Sequence, residues 1–521
     1  MNVLGIDVGT GGTRAVVIDE RGRIVASATA EHAAFASPQT GWAEQDARDW
    51  WRATQRAVRA VLLESNAEGI ACVGLSGQMH GATLLDAHRE VLRPAIIWCD
   101  GRTSEQCSAI TERIGAEQLI ELVANPALAG FTLPKMLWVR EHEPEVWREV
   151  RSVLLPKDYV RLQLTGEFAT DVADASGTLL FDVVNRRWSQ EMFSAFEIDE
   201  GIMPAVWESA EVCGRVSKSG AAATGLREGT PVVAGAGDQA AGAVGMGIVE
   251  AGVVSATIGT SGVVFAATDR PAFDKHGRVH TFCHAIPNRW HVMGVTQAAG
   301  LSLRWFRDTF GVTTSLETAG AFSNKETHQT KRDPYELLCA EASAAPSGAD
   351  GIIWAPYLMG ERTPHLDPLA RAALVGLTAH HTRAHIVRAI LEGVAFSLRD
   401  TLTIFAEMKV PVETIRLGGG GARSPLWRQI QAEVYGREVQ MVEAEEGAAF
   451  GAALLAGVGA QIWRSVDEAC AQVVRVAGQV HPDSSATALM NVGYEKFRKL
   501  YPALRAINSD PVKQIENSLV V

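Results

Sequence analysis

Hydrophobic and polar positions alternate at strand spacing near the start of this chain. The pattern predicts a meander, with strands over 3–8, 13–19 and 23–29 joined by turns at 9–12 (Gly-Thr-Gly-Gly) and 20–22 (Glu-Arg-Gly). Residues 46–64 switch to helical spacing, with Trp50, Trp51, Val58, Val61 and Leu62 on an apolar side and Asp46 as a candidate N-cap. A short strand over 71–75 ends in Ser76-Gly-Gln-Met-His80-Gly. Further on, an apolar run from Pro231 passes through Gly235 and Gly237 into Asp238. Strands over 252–258 and 263–267 flank a turn at 259–262. The segment 412–417 reads as a strand, followed by four glycines and a helix over 427–434. A helix is expected over 494–504, and a polar tail after it.

The two glycine hairpins echo one another. Ile6-Asp7-Val8-Gly9-Thr10-Gly11-Gly12 aligns with Ala256-Thr257-Ile258-Gly259-Thr260-Ser261-Gly262, almost half the chain away, which suggests a duplicated domain. Glycines at 9, 11 and 12 let backbone N–H groups converge on an anion, and Arg14 adds positive charge. Asp7 is placed to hold Mg²⁺, which takes one or two carboxylates together with phosphate oxygens. Thr257 stands where Asp7 would, so one copy alone carries an acid. An ordinary hairpin turn is the competing reading. Neither hairpin is a Walker loop or a dinucleotide fingerprint.

Asp238 is a single carboxylate at a glycine-flanked strand end, where substrate can approach the backbone. It suits a general base, or else a helix-capping turn. His80 and Asp100 sit beside glycines at similar places and are candidate polar ligands or structural residues. Gly418–Gly421 are more glycines than a strand-to-helix turn needs and suggest close approach of a base or phosphate. His280, Cys283, His284 and His291 do not make a metal site, because their spacing fits strand structure and no second cysteine pair completes a tetrahedral set.

Composition narrows the class. The 521 residues should hold two domains or three. A net charge of −12 with 21% charged residues and no basic block argues against a nucleic-acid binder. No apolar stretch is long enough for a membrane span, and the first residues lack a signal-peptide pattern. Seven scattered cysteines without a Cys-x-x-Cys read as reduced thiols in a cytoplasmic protein.

Longer motifs carry a resemblance. Gly130-Phe-Thr-Leu-Pro-Lys-Met-Leu-Trp138, and Ala372-Ala-Leu-Val-Gly-Leu377 followed by His385-Ile-Val-Arg-Ala-Ile-Leu-Glu392, are similar to the two patterns of the FGGY carbohydrate kinases. Gly41-Trp-Ala-Glu-Gln-Asp46, Gly77-Gln-Met-His-Gly-Ala-Thr-Leu-Leu-Asp86, Leu155-Pro-Lys-Asp-Tyr159 and Pro356-Tyr-Leu-Met-Gly-Glu-Arg-Thr-Pro364 resemble the members that act on xylulose. The likeness runs from residue 3 to about 505. It implies an α/β fold of two actin-like ATPase (ribonuclease-H-like) domains flanking a cleft. Residues 1–248 would form the sugar side, 249–485 the nucleotide side, and 486–521 a terminal helix and tail. ATP and Mg²⁺ are the implied cofactors, D-xylulose the substrate and D-xylulose 5-phosphate the product, and a homodimer is compatible with the pattern. Asp238 and Asp7 would be catalytic, with Asp7 on the metal. Met79, His80, Asp100, Asp238 and Gln239 would hold the sugar. Gly9, Thr10, Gly11, Arg14, Gly259, Thr260, Trp305, Gly420, Gly421 and Ala422 would line the nucleotide site. Cys99 and Gln239 stand where the xylulose pattern has Asn, which leaves open another ketose or polyol as substrate. An ATPase of the actin or Hsp70 kind would share the hairpins but has no need of the Met79–His80 pattern.

Overall fold

The computed structural model describes residues 1–65, 69–311, 333–443 and 447–508. Its contacts divide the chain into two units. One comprises 1–251, 267–292 and 442–475; the other comprises 252–266, 293–441 and the chain from 476. The tail beyond 508 lies outside the described residues.

The first unit is organised by a sheet whose strands run Val212–Arg215, Pro231–Val233, Ile70–Gly77, Asn2–Val8, Gly12–Asp19 and Ile24–Glu31, with Ala236–Gly237 pairing the end of Ile70–Gly77. Asn2–Val8 and its two successors form the expected antiparallel meander, and Ile70–Gly77 lies parallel to Asn2–Val8. Val3, Leu4, Ile6 and Val8 are all buried, because helices cover both faces. On one face the helix Ala47–Ser65 brings Trp50, Val58 and Val61 into a core with Leu4, Ile6 and Leu75. On the other lies Gly447–Gly459, a helix rich in small residues. A Cβ added at Gly5 would come within 1.9 Å of the Ala449 carbonyl oxygen, and one at Gly74 within 2.0 Å of that of Ala452. The helix Asp238–Gly245 packs equally closely, since a Cβ at Gly451 would lie 1.8 Å from the Ala241 oxygen.

The second unit repeats the topology of the first hairpin. Gly252–Ile258 pairs antiparallel with Gly262–Thr268 on one side and parallel with Val412–Gly419 on the other. Thr257 is opposite Val263 and Gly418, as Asp7 is opposite Arg14 and Ser76. The echo in the sequence is therefore an echo in strand order. The helix expected over 427–434 runs Pro425–Tyr435 and is capped by the Ser424 side chain.

The terminal helix differs from expectation. Instead of one helix over 494–504 there are two, Ser484–Phe497 and Leu500–Asn508. Pro502 is the physical reason: it has no N–H to give the Arg498 carbonyl, and its ring excludes a continuous helix there, yet it fits the first turn of a new one. Among the described residues no helix is long and apolar enough to cross a membrane. All seven cysteines are free thiols. His284 and His291 are buried, and burial holds both imidazoles below their ordinary value.

Candidate active site

Asp7 and Asp238 come together through strand register. Asp7 lies opposite Ser76 on the neighbouring strand, and Ser76 lies opposite Ala236 on its other side. Asp238 follows two residues later as the first residue of the helix Asp238–Gly245, whose N-cap is Gly237. The N-cap itself has no side chain, and the Gln239 backbone N–H lowers the Asp238 carboxyl slightly by hydrogen bonding to it. Gln239 Nε2 donates to it at 3.3 Å. Both acids keep a small accessible edge but are deep enough to lose most of their hydration. That loss raises Asp238 from 3.8 to about 7, and the nearby Asp7 charge pushes the same way. Burial raises Asp7 to about 6, against the pull of the Ser76 hydroxyl and the Arg14 charge. Asp7 Oδ1 is sealed from solvent and has no hydrogen-bond partner among the described residues. A buried carboxylate oxygen of this kind fits a hard cation or its hydration shell.

Met79 lies against Gly237, beside Asp238, and its neighbour His80 lies against Gly177. A Cβ at Gly237 would meet Met79 Cγ at 2.8 Å, and one at Gly177 would meet the His80 ring at 2.6 Å. His80 Nδ1 is 2.7 Å from the Gly177 oxygen, and its ring packs 4.8 Å from that of Phe131. His80 has a φ of +69°, a left-handed conformation rare for a side chain of this size. Its carbonyl is held by Lys135 Nζ at 2.9 Å and by Thr132 Oγ1 at 3.2 Å. Lys135 is wholly buried, and burial lowers its ammonium to about 7. Lys135 lies within the Gly130–Trp138 motif, whose pattern alone gives it no role.

A second contact set ties the first glycine turn to this region. Thr10 Oγ1 donates to Gln78 Oε1 at 3.1 Å and accepts from Trp98 Nε1 at 2.9 Å. Gln45 Nε2 donates to the Thr10 oxygen at 2.7 Å, and Gln78 Nε2 donates to Gln45 Oε1 at 2.8 Å. Three motifs separated in sequence thus converge on one turn residue. Asp100, expected on the sugar side, is engaged within its own loop. Its oxygens accept from the Arg102 guanidinium at 2.7–3.1 Å and from the Ala43 N–H at 2.5 Å. Arg102 in turn lies 3.7 Å over the Trp42 ring and pairs with Glu44.

Behind the Asp238 strand lies a completely buried charge cluster. Lys157 Nζ is within 2.6–3.0 Å of Asp158, Asp171 and Asp174, and Arg161 pairs with Asp158. Three carboxylates face two cations, and burial with the neighbouring acids raises Asp174 well above its ordinary value. Arg161 also donates to the Ala234 carbonyl oxygen, four residues before Asp238. The cluster anchors the segment that presents the acid. Removing one partner would strand an uncompensated buried charge.

The nucleotide-side residues line a cavity of about 740 Å³ in the second unit. Gly259, Thr260, Gly420 and Gly421 form one wall, and Arg304, Tyr335, Cys339 and Arg423 lie around it. The Gly259–Thr260 turn is tied to the start of the helix Gly300–Phe310, with Gly300 N donating to the Gly259 oxygen at 2.8 Å and Leu301 N to the Thr260 oxygen at 3.1 Å. Gly419 and Gly421 are glycines because the end of the Gly252–Ile258 strand crosses them: added Cβ atoms would stand 2.4 Å from the Ile258 oxygen and 2.7 Å from its side chain. Ala422 closes the short helical turn Gly420–Ala422. Trp305 is not part of the cavity wall. It stacks on Trp354 at 5.5 Å, because Gly300, Leu303 and Arg304 share the helix face toward the cavity and residue 305 turns away from it. The helix Pro334–Ala342, which carries Tyr335 and Cys339, was missed in the sequence, although Asp333 as N-cap and Pro334 at the first turn are a start signal.

Comparison with known proteins gives the family. Residues 2–245 match the N-terminal domain of the FGGY family of carbohydrate kinases, and residues 254–460 match its C-terminal domain. A xylulose kinase of Escherichia coli is 40% identical over 96% of this chain and 99% of its own length, and one of Bacillus subtilis 38% over 97% and 98%. A solved xyloylose kinase from Brucella ovis superposes with a TM-score of 0.88 at 35% identity, covering 97% of this chain and all of that one. The fold is therefore the α/β fold with two actin-like domains, and the chemistry is phosphoryl transfer to an alcohol group. The chain belongs to the FGGY family of carbohydrate kinases.

Proposed function

We propose that this chain is a cytoplasmic enzyme that moves the γ-phosphoryl group of MgATP to O5 of D-xylulose, giving D-xylulose 5-phosphate and ADP. The observation that carries the substrate is the near-full-length likeness to proteins named xylulose kinases at 38–40% identity. The reaction needs alignment and charge neutralisation more than covalent help. Residues 1–248 would carry the sugar and 249–485 the nucleotide.

Asp238 accepts the proton of the attacking hydroxyl as the new P–O bond forms and the bond to the β-phosphate oxygen breaks. A pKa of about 7 suits this, because the base is ionised in part at neutral pH and still holds a proton well. Asp7 would hold Mg²⁺, which when bound offsets the negative charge of the triphosphate. Met79, His80 and Gln239 surround the acceptor, and His80's backbone is fixed for this by Lys135. Asp100 would act on the sugar through the loop that presents Trp98 and Cys99. Gly9, Thr10, Gly11 and Arg14 would receive phosphate oxygens. Gly259, Thr260, Gly420, Gly421 and Ala422 would hold the nucleotide, with Trp305 supporting the helix beneath it.

A 2-ketopentose closes its furanose ring through O5, so the acceptor must be the open chain. The test is an ATP-coupled assay over D-xylulose, D-ribulose, arabinitol and glycerol, with phosphorus-coupled NMR of the product. D-Xylulose as the best substrate and phosphate at O5 are expected. A preference for another acceptor, or phosphate at O1, would overturn the substrate assignment.

A further inference from the structure

A histidine cluster far along the chain from Asp238 has no part in phosphoryl transfer. Asp350, His380 and His385 each offer one ligand atom, and these atoms all lie within 4.8 Å of one another. His380 Nε2 is 3.1 Å from Asp350 Oδ2, and His385 Nε2 is 3.2 Å from the same oxygen. Two ligands at about 2.0–2.1 Å from one zinc ion stand ~3.3 Å apart at the tetrahedral angle. The two Asp350–His separations are those of a coordination sphere, and the two imidazole nitrogens, within 4.8 Å of each other, draw together to complete it.

The scaffold is rigid on both sides. Asp350 sits in a tight left-handed turn, with φ of +49°. That turn is clamped to the helix Arg383–Glu407. Gly348 N donates to Glu392 Oε1 at 3.0 Å, and Arg388 donates to the Ala345 oxygen at 3.0 Å and to Ser347 Oγ at 2.8 Å. His385 is the third residue of the same helix, and its Nδ1 lies 2.8 Å from Thr382 Oγ1 and 3.2 Å from Thr382 N. His381 is already committed to the backbone. Its Nδ1 accepts from Thr378 N at 2.9 Å, and its Nε2 lies 3.3 Å from the Asp350 oxygen. It steadies the turn and leaves coordination to the other three. His380 and Asp350 are exposed, so an ion has a path in from solvent.

We propose that Asp350, His380 and His385 form a site for a divalent transition cation of the zinc, nickel or copper class. Two imidazoles and one carboxylate suit these ions, whereas Mg²⁺ and Ca²⁺ prefer oxygen donors alone. Solvent completes the coordination. On binding, the His385 proton passes from Nε2 to Nδ1, which gives up its acceptance of the Thr382 N–H and donates to Thr382 Oγ1 instead, so the ring keeps one orienting hydrogen bond and the ion takes the freed Nε2 lone pair. The ion would pin the Gly348–Gly351 turn to the start of the long helix.

The experiment is calorimetric titration of the chelator-treated, desalted full chain with zinc chloride in excess Mg²⁺. A parallel Cu²⁺ titration is read by electron paramagnetic resonance. We expect one Zn²⁺ per chain, with affinity at least tenfold lower in His380→Ala and in Asp350→Asn. The two-nitrogen Cu²⁺ pattern should become a one-nitrogen pattern in His380→Ala. MgATP-dependent turnover of His380→Ala should match the parent, which also reports that this variant is folded. Absence of Zn²⁺ binding, or equal stoichiometry and affinity in the parent and both variants, would overturn the site.

Discussion

Replacing Asp238 with Asn should abolish turnover and at the same time stabilise the protein at alkaline pH. In the folded chain Asp238 titrates at about 7 rather than 3.8, chiefly because burial removes its water and partly because Asp7 is near. The folded state therefore binds more protons than the unfolded state between these values. Stability falls as pH rises through that window, and the full penalty remains above about 7. The gap corresponds to about 4 kcal/mol at pH 8, taking about 1.4 kcal/mol per pH unit. Asn keeps the shape and still accepts from Gln239, but it buries an amide that lacks a partner of its own, at a cost of about 1–3 kcal/mol at every pH. The net gain at pH 8 is then about 1–3 kcal/mol, and the stability difference between variant and parent should widen by about 3 kcal/mol from pH 5 to pH 8. Denaturant unfolding of both proteins across pH 5–8 in a metal chelator, without nucleotide, measures this difference directly. A constant difference across that range would refute the reasoning, because it would mean that Asp238 ionises in the fold as freely as in the unfolded chain.

The same raised carboxyl sets the acid limb of catalysis: kcat/KM should rise with pH through about 7, and in Asp7→Asn the limb of the residual activity should move to lower pH because the neighbouring charge is gone. Gly237→Ala should raise KM for the sugar about tenfold while leaving that for ATP unchanged, since the new methyl displaces Met79 from its contact beside the acceptor; initial-rate kinetics check it. Cys99 is exposed on the loop next to Asp100, and saturating sugar should slow its alkylation, read by mass spectrometry of the labelled peptide.

The hairpins and the Ala47–Ser65 helix are legible because each rests on local spacing, whereas the joint role of Asp7 and Asp238 came only with the resemblance and their meeting with strand register. Alternation marks the strands, and a glycine before an isolated acid marks a strand end. The echo between Asp7 and Thr257 also survived into strand pairing. What the sequence hid depends on distant partners. Lys135 reads as an ordinary helical lysine until the fold closes over it and aims its ammonium at the His80 carbonyl. Thr10, Gln45, Gln78 and Trp98 belong to four separate segments whose meeting no local pattern announces. Trp305 was assigned from resemblance alone, and helix geometry turns it onto Trp354 while its neighbours reach the cavity. The aliphatic spacing over 494–504 suggests one helix, and Pro502 divides it into two.

The seams that the Gly447–Gly459 helix makes with the first sheet and with the Asp238–Gly245 helix have a consequence for mutational tolerance. At Gly5, Gly74 and Gly451 main chain rests against main chain with no side chain between them to repack. Elsewhere a core absorbs a new methyl through shifts of flexible neighbours; along this line the nearest atoms are peptide oxygens, and a whole element would have to move. A saturation scan selected on growth with the sugar should show intolerance at these three positions to every substitution, alanine included. Neither hydropathy nor distance from Asp238 would account for that pattern. Laboratory evolution of this enzyme would then be free to remodel its loops while this strip of backbone stays as it is.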